Sequence, residues 1–93
     1  MMEVFWTMLA SQDRKRIREY IAKQNLMAAV ALDERISDSA GSLAEQPYKG
    51  RHGRAEDTQE LVIHPHFVLV YEVDKQWGKV YILRVLHTAQ KWP

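Results

Sequence analysis

The sequence predicts an α+β fold: a short N-terminal strand, a hairpin of two helices, and a three-stranded antiparallel meander. In the last third of the chain, three runs rich in β-branched and aromatic residues alternate with turn residues, as strands in hairpins do. In the first half, apolar residues recur at helical spacing behind residues that cap helices. If the first strand joins the meander, a four-stranded sheet with both helices on one face buries every apolar stripe. We therefore expect residues 1–93 to form a single domain.

The N-terminal segment predicts a strand followed by a helix. Glu3–Thr7 is the predicted strand. A helix is expected from Gln12 to Lys23, because Ser11 is a good N-cap and Asp13 lies where the positive end of the helix dipole favours an acid. The narrow apolar stripe of this helix consists of Ile17, Tyr20 and Ile21.

A second helix is expected directly after the first, which makes the pair a helical hairpin. Asn25 is its predicted N-cap, and Gly41 and Pro47 mark its end. Its apolar residues recur at helical spacing and are Ala29, Leu32, Ile36, Ala40 and Leu43. Such a stripe indicates a helix face that packs on the core.

The last third predicts the three strands of the meander. They are Glu60–Ile63, Phe67–Val73 and Lys79–His87. The corner His64–His66 separates the first two strands, and Asp74–Gly78 separates the last two.

Two residues of the last predicted strand, Arg84 and His87, stand out in an otherwise apolar run. Burying a charge alone is costly, so such a residue must reach solvent, pair, or face a site. His87 is a candidate general base near neutral pH, and the alternative is a strand-end histidine held by a hydrogen bond. Ideal alternation puts the two side chains on opposite faces, so they converge only if the strand bends or ends near Leu86.

A basic loop is predicted over Tyr48–Arg54, within a chain whose net charge is only +1. The segment contains no acid, and its two glycines let the backbone approach a phosphate or carboxylate closely. We interpret it as an anion-binding or target-binding loop; the alternative is an ordinary solvated loop. The candidate target-binding residues are Lys49, Arg51, His52 and Arg54.

Composition excludes several classes of protein. The chain has no cysteine, which excludes disulfides and thiolate chemistry. We see no signal peptide, and no apolar window approaches the roughly 18 residues of a membrane span, so we expect a cytoplasmic protein with no membrane partner. There is no glycine fingerprint for phosphate, no serine nucleophile motif and no paired-carboxylate signature. His64 and His66, with no acid beside them, make a poor zinc site, so no cofactor and no metal is expected.

Several short motifs, taken together in their order and spacing, give the chain a family resemblance. They are Trp6, Asp13–Ile21, Asn25, Ala28-Ala29, Leu32, Leu43, Pro47, Gly50-Arg51, Gly53-Arg54, Glu60–Val62, Val68–Tyr71, Ile82–His87 and Trp92-Pro93. In these motifs the chain resembles the RelE/ParE superfamily of toxins from type II toxin–antitoxin modules. The resemblance covers essentially the whole chain. It implies a microbial growth inhibitor that is neutralised by a cognate antitoxin protein.

The resemblance leaves two targets open. RelE-like members enter the ribosomal A site and cut mRNA, which would make Lys49, Arg51, Arg54 and Arg84 phosphate ligands here. In that reading His87 is the acid–base candidate, with Arg84 as the second catalytic residue. ParE-like members inhibit DNA gyrase without a known catalytic constellation.

The end of the chain is more similar to the ParE branch. The Arg84–His87 segment resembles the ParE ending, whereas the late arginine and the tyrosine of RelE relatives fall near Thr88 and Trp92 here. Gln59 stands where close relatives often have arginine. We therefore expect a gyrase inhibitor, with a ribosome-dependent endoribonuclease as the alternative. A third possibility is a weakened toxin that binds its antitoxin and co-represses transcription.

The antitoxin is expected to cover an exposed surface of the toxin. The sheet face opposite the helices, together with the basic loop, is the predicted concave surface. We expect a tail of the antitoxin that folds on binding to lie across an apolar and basic groove near Lys49, Arg51 and Arg54.

Overall fold

The computed structural model describes residues 1–90 and confirms the α+β class. Within these residues two helices and five strands follow one another along the chain. Trp92, which belongs to the family-like ending, lies outside the described residues. The elements are β1 (Glu3–Trp6), α1 (Met8–Ala22), α2 (Leu26–Ser42), β2 (Arg51–His52), β3 (Gln59–Ile63), β4 (Phe67–Asp74) and β5 (Lys79–His87).

The strands form one mixed sheet in the order β1-β5-β4-β3-β2. The predicted meander of β3, β4 and β5 is confirmed as antiparallel, and β1 joins β5 in parallel. The sheet has five strands and not the four predicted, because the basic loop adds β2. Only Arg51 and His52 pair there, opposite Glu60 and Gln59, and two residues are too few to show a period of two in the sequence.

The first helix begins earlier than predicted. Its N-cap is Thr7 and not Ser11, and Thr7 was expected to be a strand residue. The Thr7 hydroxyl accepts a hydrogen bond from the Ala10 amide at 3.2 Å and donates one to the Ile82 carbonyl at 2.7 Å. Because one hydroxyl caps the helix and extends the β1–β5 contact, strand and helix meet at this residue. Ser11 lies inside the helix, where its amide donates to the Thr7 carbonyl at 3.0 Å.

The predicted helical hairpin is confirmed. Asn25 caps α2, with its side-chain oxygen accepting from the Ala28 amide at 3.0 Å. The two helices are tied by Arg14, whose Nε lies 2.7 Å from a carboxylate oxygen of Asp33. The same guanidinium lies 5.0 Å from the centre of the Trp6 ring, which links the hairpin to β1. Neither helix in the described part of the chain combines the length and apolarity needed to cross a membrane.

The main core lies between the helices and one face of the sheet. The predicted stripe of α2 is buried, as are the mid-strand residues Leu69 and Ile82. Burial of these side chains is the main term that stabilises the domain. The buried members of this core are Ala10, Leu32, Ile36, Ala40, Leu43, Ile63, Leu69, Tyr71, Val80, Ile82 and Val85.

The opposite face of the sheet is not the open surface that we predicted. Val68, Val70 and Leu86 lie on it, and each is at most 4% exposed. A register shift in the β4–β5 pairing leaves Leu83 without a partner on β4, and its side chain packs against this second cluster. The centre of that face is therefore apolar and buried.

Candidate functional site

Arg84 and Asp13 form an ion pair at the contact between β5 and α1. Arg84 Nε and Nη2 donate to the two Asp13 oxygens at 2.7 and 3.0 Å. Asp13 is 5% exposed, and one of its oxygens also accepts the Val85 amide at 3.0 Å. The hydrogen bond to Asp13 raises the pKa of the Arg84 guanidinium above its ordinary range, so Arg84 stays charged. The charge in the apolar strand is thus paired.

The predicted role of Asp13 at the start of a helix is wrong. Because α1 begins at Met8, Asp13 lies beyond the first turn, too far for a strong interaction with the dipole. Asp13 instead supplies a hydrogen-bond acceptor to β5 where a neighbouring strand is missing. β1 stops pairing with β5 at Ile82, and further along β5 the Asp13 carboxylate satisfies the Val85 amide. An edge amide that β1 does not reach is therefore covered by a helix side chain.

His87 is held in one orientation by the turn that follows β5. Its ring Nδ1 accepts a hydrogen bond from the Ala89 amide at 3.1 Å, and its own amide donates to Gln90 Oε1 at 2.7 Å. With the Nδ1 lone pair used, the neutral imidazole carries its proton on Nε2. The ring also packs edge-on against Phe67, with centroids 5.4 Å apart. In this geometry the exposed nitrogen is a hydrogen-bond donor and has no free lone pair for a general base.

A groove of about 530 Å³ lies between α1 and the end of β5. Arg84 and His87 both line it, although alternation places them on opposite faces of the strand. They meet because the groove runs along the edge of β5. Its apolar walls and cationic groups suit an amphipathic anionic segment. The lining residues are Asp13, Arg16, Ile17, Tyr20, Ile21, Phe67, Arg84, Val85, His87 and Gln90.

A second, smaller cavity of about 290 Å³ continues this groove toward α2. The two share Ile21 and Phe67 in their linings, so they adjoin one another. At the far end of the smaller cavity, Arg35 donates a hydrogen bond to the His64 carbonyl at 3.0 Å.

The arginines of the basic loop contact a carboxylate of the same chain, that of Glu60. Glu60, 2% exposed, accepts hydrogen bonds from Arg51 Nη2 at 3.2 Å and from the Arg54 amide at 3.1 Å. Arg54 Nε lies 3.8 Å from the same carboxylate. The two arginine side chains are nevertheless 60% and 51% exposed, and Lys49 and His52 are exposed beside them. The target-binding role of these four residues remains a prediction.

The first glycine of the loop serves an internal contact. The Gly50 amide donates to the Tyr71 hydroxyl at 3.0 Å, and that hydroxyl donates to Gln59 Oε1 at 3.1 Å. A Cβ at Gly50 would lie 2.6 Å from the hydroxyl oxygen and 2.7 Å from the Glu60 carbonyl, so only glycine fits without movement. Burial raises the pKa of Tyr71, which keeps the phenol neutral.

The predicted residues fall into two clusters. Arg51, Glu60, Val70 and Arg84 are partners across β2, β3, β4 and β5, so Arg51 and Arg84 are separated by three strand spacings, roughly 14 Å. Val70, fully buried, lies between them. The structure therefore groups Arg51 with Arg54, and Arg84 with His87. Within residues 1–90, no group of three or more potential ligand residues could hold a metal ion.

Sequence reasoning missed three contributors. Asp13 was predicted to interact with the helix dipole and not with Arg84, and Glu60 was treated as an ordinary strand residue. Glu60 precedes the apolar run Leu61–Ile63, so the reasoning that singled out Arg84 also applied to it. Arg16, on the exposed side of α1, gave no signal of its own that it lines the groove.

Comparison with known proteins places the chain among toxins. Residues 4–92 match the family described as the ParE toxin of the type II toxin–antitoxin system parDE. Toxin RelE2 from Caulobacter vibrioides is 39% identical over 90 residues, covering 97% of this chain and 99% of that protein.

Solved structures share the fold. The chromosomal ParDE toxin–antitoxin system from P. aeruginosa contains a chain that superposes with a TM-score of 0.81 at 20% identity, covering 94% of this chain and 96% of that one. The toxin–antitoxin complex RelBE2 from Mycobacterium tuberculosis contains a chain with a TM-score of 0.61 at 27% identity, covering 92% and 96%.

Proposed function

Since this chain belongs to the ParE toxin family of type II toxin–antitoxin systems, we propose that it inhibits growth by binding DNA gyrase. The toxin role follows from the family. Gyrase as the target is also favoured by the ParE match over residues 4–92 and by the ending Arg84–His87, which resembles the ParE branch. The mode of action is binding to a protein partner.

The geometry of His87 is the observation that carries this choice. Cleavage of RNA by general acid–base catalysis needs a group that moves a proton near neutral pH. The Nδ1 atom of His87 accepts from the Ala89 amide, so its neutral ring offers only a donor to the groove. Arg84, the other candidate, donates two hydrogen bonds to Asp13. In these positions both groups donate hydrogen bonds, which supports a binding role over proton transfer.

A ribosome-dependent endoribonuclease is the second candidate. It is favoured by the meeting of Arg16, Arg84 and His87 at one groove, where two guanidinium groups and the Nε2–H of His87 could donate to a phosphate. Similarity to Toxin RelE2 and to the RelBE2 complex also supports it. In this mechanism His87 must exchange its Ala89 contact for protonation at Nδ1 and then act as an acid.

For the gyrase target we assign the basic loop as the recognition surface. Its two arginines are more than half exposed, yet Glu60 fixes their position. Long side chains that are already ordered lose less entropy on binding, which favours affinity. Lys49 and His52 extend the positive surface, and complementarity to an acidic partner surface speeds association.

We assign the groove between α1 and β5 to a cognate antitoxin. The solved ParDE and RelBE2 relatives are toxin–antitoxin assemblies, which supports such a partner here. The sequence placed the apolar and basic groove near Lys49, Arg51 and Arg54, whereas the structure has a groove of about 530 Å³ beside Arg16 and Arg84. A tail with apolar residues on Ile17 and an acid near Arg16 matches its lining, and such tails fold on binding.

Induction of the chain without an antitoxin tests the target. We expect DNA damage and altered plasmid supercoiling with intact transcripts. Rapid codon-phased cuts in mRNA would contradict the gyrase proposal and support the nuclease. Growth without either effect, by a chain that still binds its antitoxin, would identify the weakened toxin that co-represses transcription.

A further inference from the structure

We propose that Glu60 determines the ligand selectivity of the basic loop, by taking as an internal counter-anion the place that a phosphate would occupy. The loop then recognises protein surfaces and discriminates against nucleic acid. This inference rests on the proposed function, in which the loop binds a protein target.

The donors that a phosphate requires are already used inside the chain. Phosphate sites in loops combine backbone amides with arginine forks. Here the Gly50 amide donates to the Tyr71 hydroxyl at 3.0 Å, and the Gly53 amide donates to the Thr58 carbonyl at 2.8 Å. The Arg54 amide donates to Glu60 at 3.1 Å. No amide among these three points to solvent.

The negative charge of Glu60 also disfavours a phosphate at the loop. The Glu60 carboxylate lies between the two arginines, with Arg51 Nη2 at 3.2 Å and Arg54 Nε at 3.8 Å. A phosphate that approached both guanidinium groups would meet a buried carboxylate at the same point, and like charges at this distance repel. The outward parts of the side chains remain available to single carboxylates spread over a protein surface.

A matched pair of variants tests the proposal. Glu60→Gln keeps the shape and an acceptor for the Arg54 amide but removes the charge. Glu72→Gln makes the same net charge change on the same sheet face, at an exposed residue two positions after Val70 on β4. Binding of a short oligothymidylate is measured over a salt series by fluorescence anisotropy, with urea unfolding to confirm that each variant is folded.

We expect Glu60→Gln to bind the oligonucleotide about tenfold more tightly than the natural chain. Its slope of log affinity against log salt should steepen by about 0.7, which corresponds to one added phosphate contact with a single strand. Glu72→Gln should change the affinity less than about twofold, as expected from net charge alone at a distance from the loop. Equal effects of the two variants, or no gain with Glu60→Gln, would overturn the proposal.

The natural chain gives an independent measurement if Glu60→Gln does not fold. In ¹⁵N-labelled protein titrated with inorganic pyrophosphate, the Arg54 amide signal should stay in place because its acceptor is internal. A saturable shift of that signal would overturn the proposal. Gyrase binding by the natural chain is assayed separately, so its absence would refute the proposed target without deciding the role of Glu60.

Discussion

Asp13 and Arg84 are 71 residues apart in the sequence, and their side chains form a two-bond ion pair with a shortest distance of 2.7 Å. The pair joins the middle of α1 to the end of β5, beyond the point where β1 stops. It therefore fixes the floor of the groove that we assign to the antitoxin. The same contact therefore stabilises the fold and lines this groove.

Replacing Asp13 with alanine should lower the free energy of unfolding by about 1–3 kcal/mol. The change leaves the buried Val85 amide without its acceptor and Arg84 without its carboxylate, although Arg84 is 24% exposed and water can solvate part of it. Urea unfolding measures the loss. Glu19→Ala, which removes an exposed pair with Lys15 at 4.0 Å, should change the value by less than about 0.5 kcal/mol. Equal effects would show that the buried pair adds nothing.

Truncation of the main core should be more damaging. Leu69→Ala and Ile82→Ala each remove a fully buried side chain, and we expect each to cost about 2–5 kcal/mol. In a domain with roughly 5–15 kcal/mol in total, toxicity would then fall through unfolding. Val62→Ala, at a residue 42% exposed on β3, is the control and should cost much less. Unchanged urea midpoints for Leu69→Ala and Ile82→Ala would contradict the core assignment.

Two glycines should respond in opposite directions to alanine. Gly50→Ala brings a Cβ within 2.6 Å of the Tyr71 hydroxyl oxygen, so the loop must move, at a cost of about 1–3 kcal/mol. Gly41 lies in α2 with nothing within 4 Å of the added Cβ, and Gly41→Ala should stabilise by about 0.5–1 kcal/mol. Thermal and urea unfolding of the two variants check the signs. Stabilisation by Gly50→Ala would refute the close approach.

Asp33 should contribute to stability above acidic pH. Its hydrogen bond from Arg14 lowers the carboxyl pKa below the ordinary value of 3.8, against an opposing effect of burial. A carboxyl with a lowered pKa stabilises the fold above its ordinary pKa, and this contribution is lost as the pH falls from 3.8 through the folded-state pKa.

Urea midpoints of the natural chain and of the Asp33→Asn variant are compared from neutral pH down to strongly acidic pH. Other carboxyl groups titrate in both proteins, so the difference between the two curves isolates Asp33. We expect that difference to shrink on acidification. A constant gap would mean that the Arg14 contact does not favour the ionised form.

The sequence predicted what depends on local pattern. Periodicity located α2 and the three strands of the meander, and the capping preference of Asn25 located the residue at which α2 begins. The same preference did not identify the N-cap of α1, since Ser11 and Thr7 are both good capping residues. Thr7 has in addition a hydrogen bond to the Ile82 carbonyl, which is distant in the sequence. Local patterns rank caps but do not show which one has a tertiary partner.

The candidate site was predictable only in part, for a similar reason. A charge in an apolar strand marked Arg84, but nothing local showed that its partner is Asp13 or that the basic loop would turn toward Glu60. These are contacts across strands and between layers. The charge of the loop was visible in the sequence, whereas its internal neutralisation was not.

His87 and the basic loop provide the test that separates the two targets. In a nuclease, His87→Ala removes the proton-transfer group and should reduce cleavage by about 10²–10⁴-fold while ribosome binding remains. In a gyrase inhibitor no proton moves, and the ring of His87 is exposed, so this variant should keep its toxicity. Growth inhibition on induction is the readout, with folding confirmed by circular dichroism.

A variant that removes the arginines of the basic loop must also remove the buried charge of Glu60. Arg51→Ala with Arg54→Ala leaves a buried carboxylate bound only by the Arg54 amide, and an uncompensated buried charge destabilises a protein strongly. The triple variant that adds Glu60→Gln removes this charge and should stay folded. We expect it to lose gyrase binding and growth inhibition, because complementary charge carries the interaction. Glu60→Gln alone keeps both arginines and should retain more of each activity than the triple variant does. A folded His87→Ala chain that binds ribosomes but no longer arrests growth would reverse the choice of target.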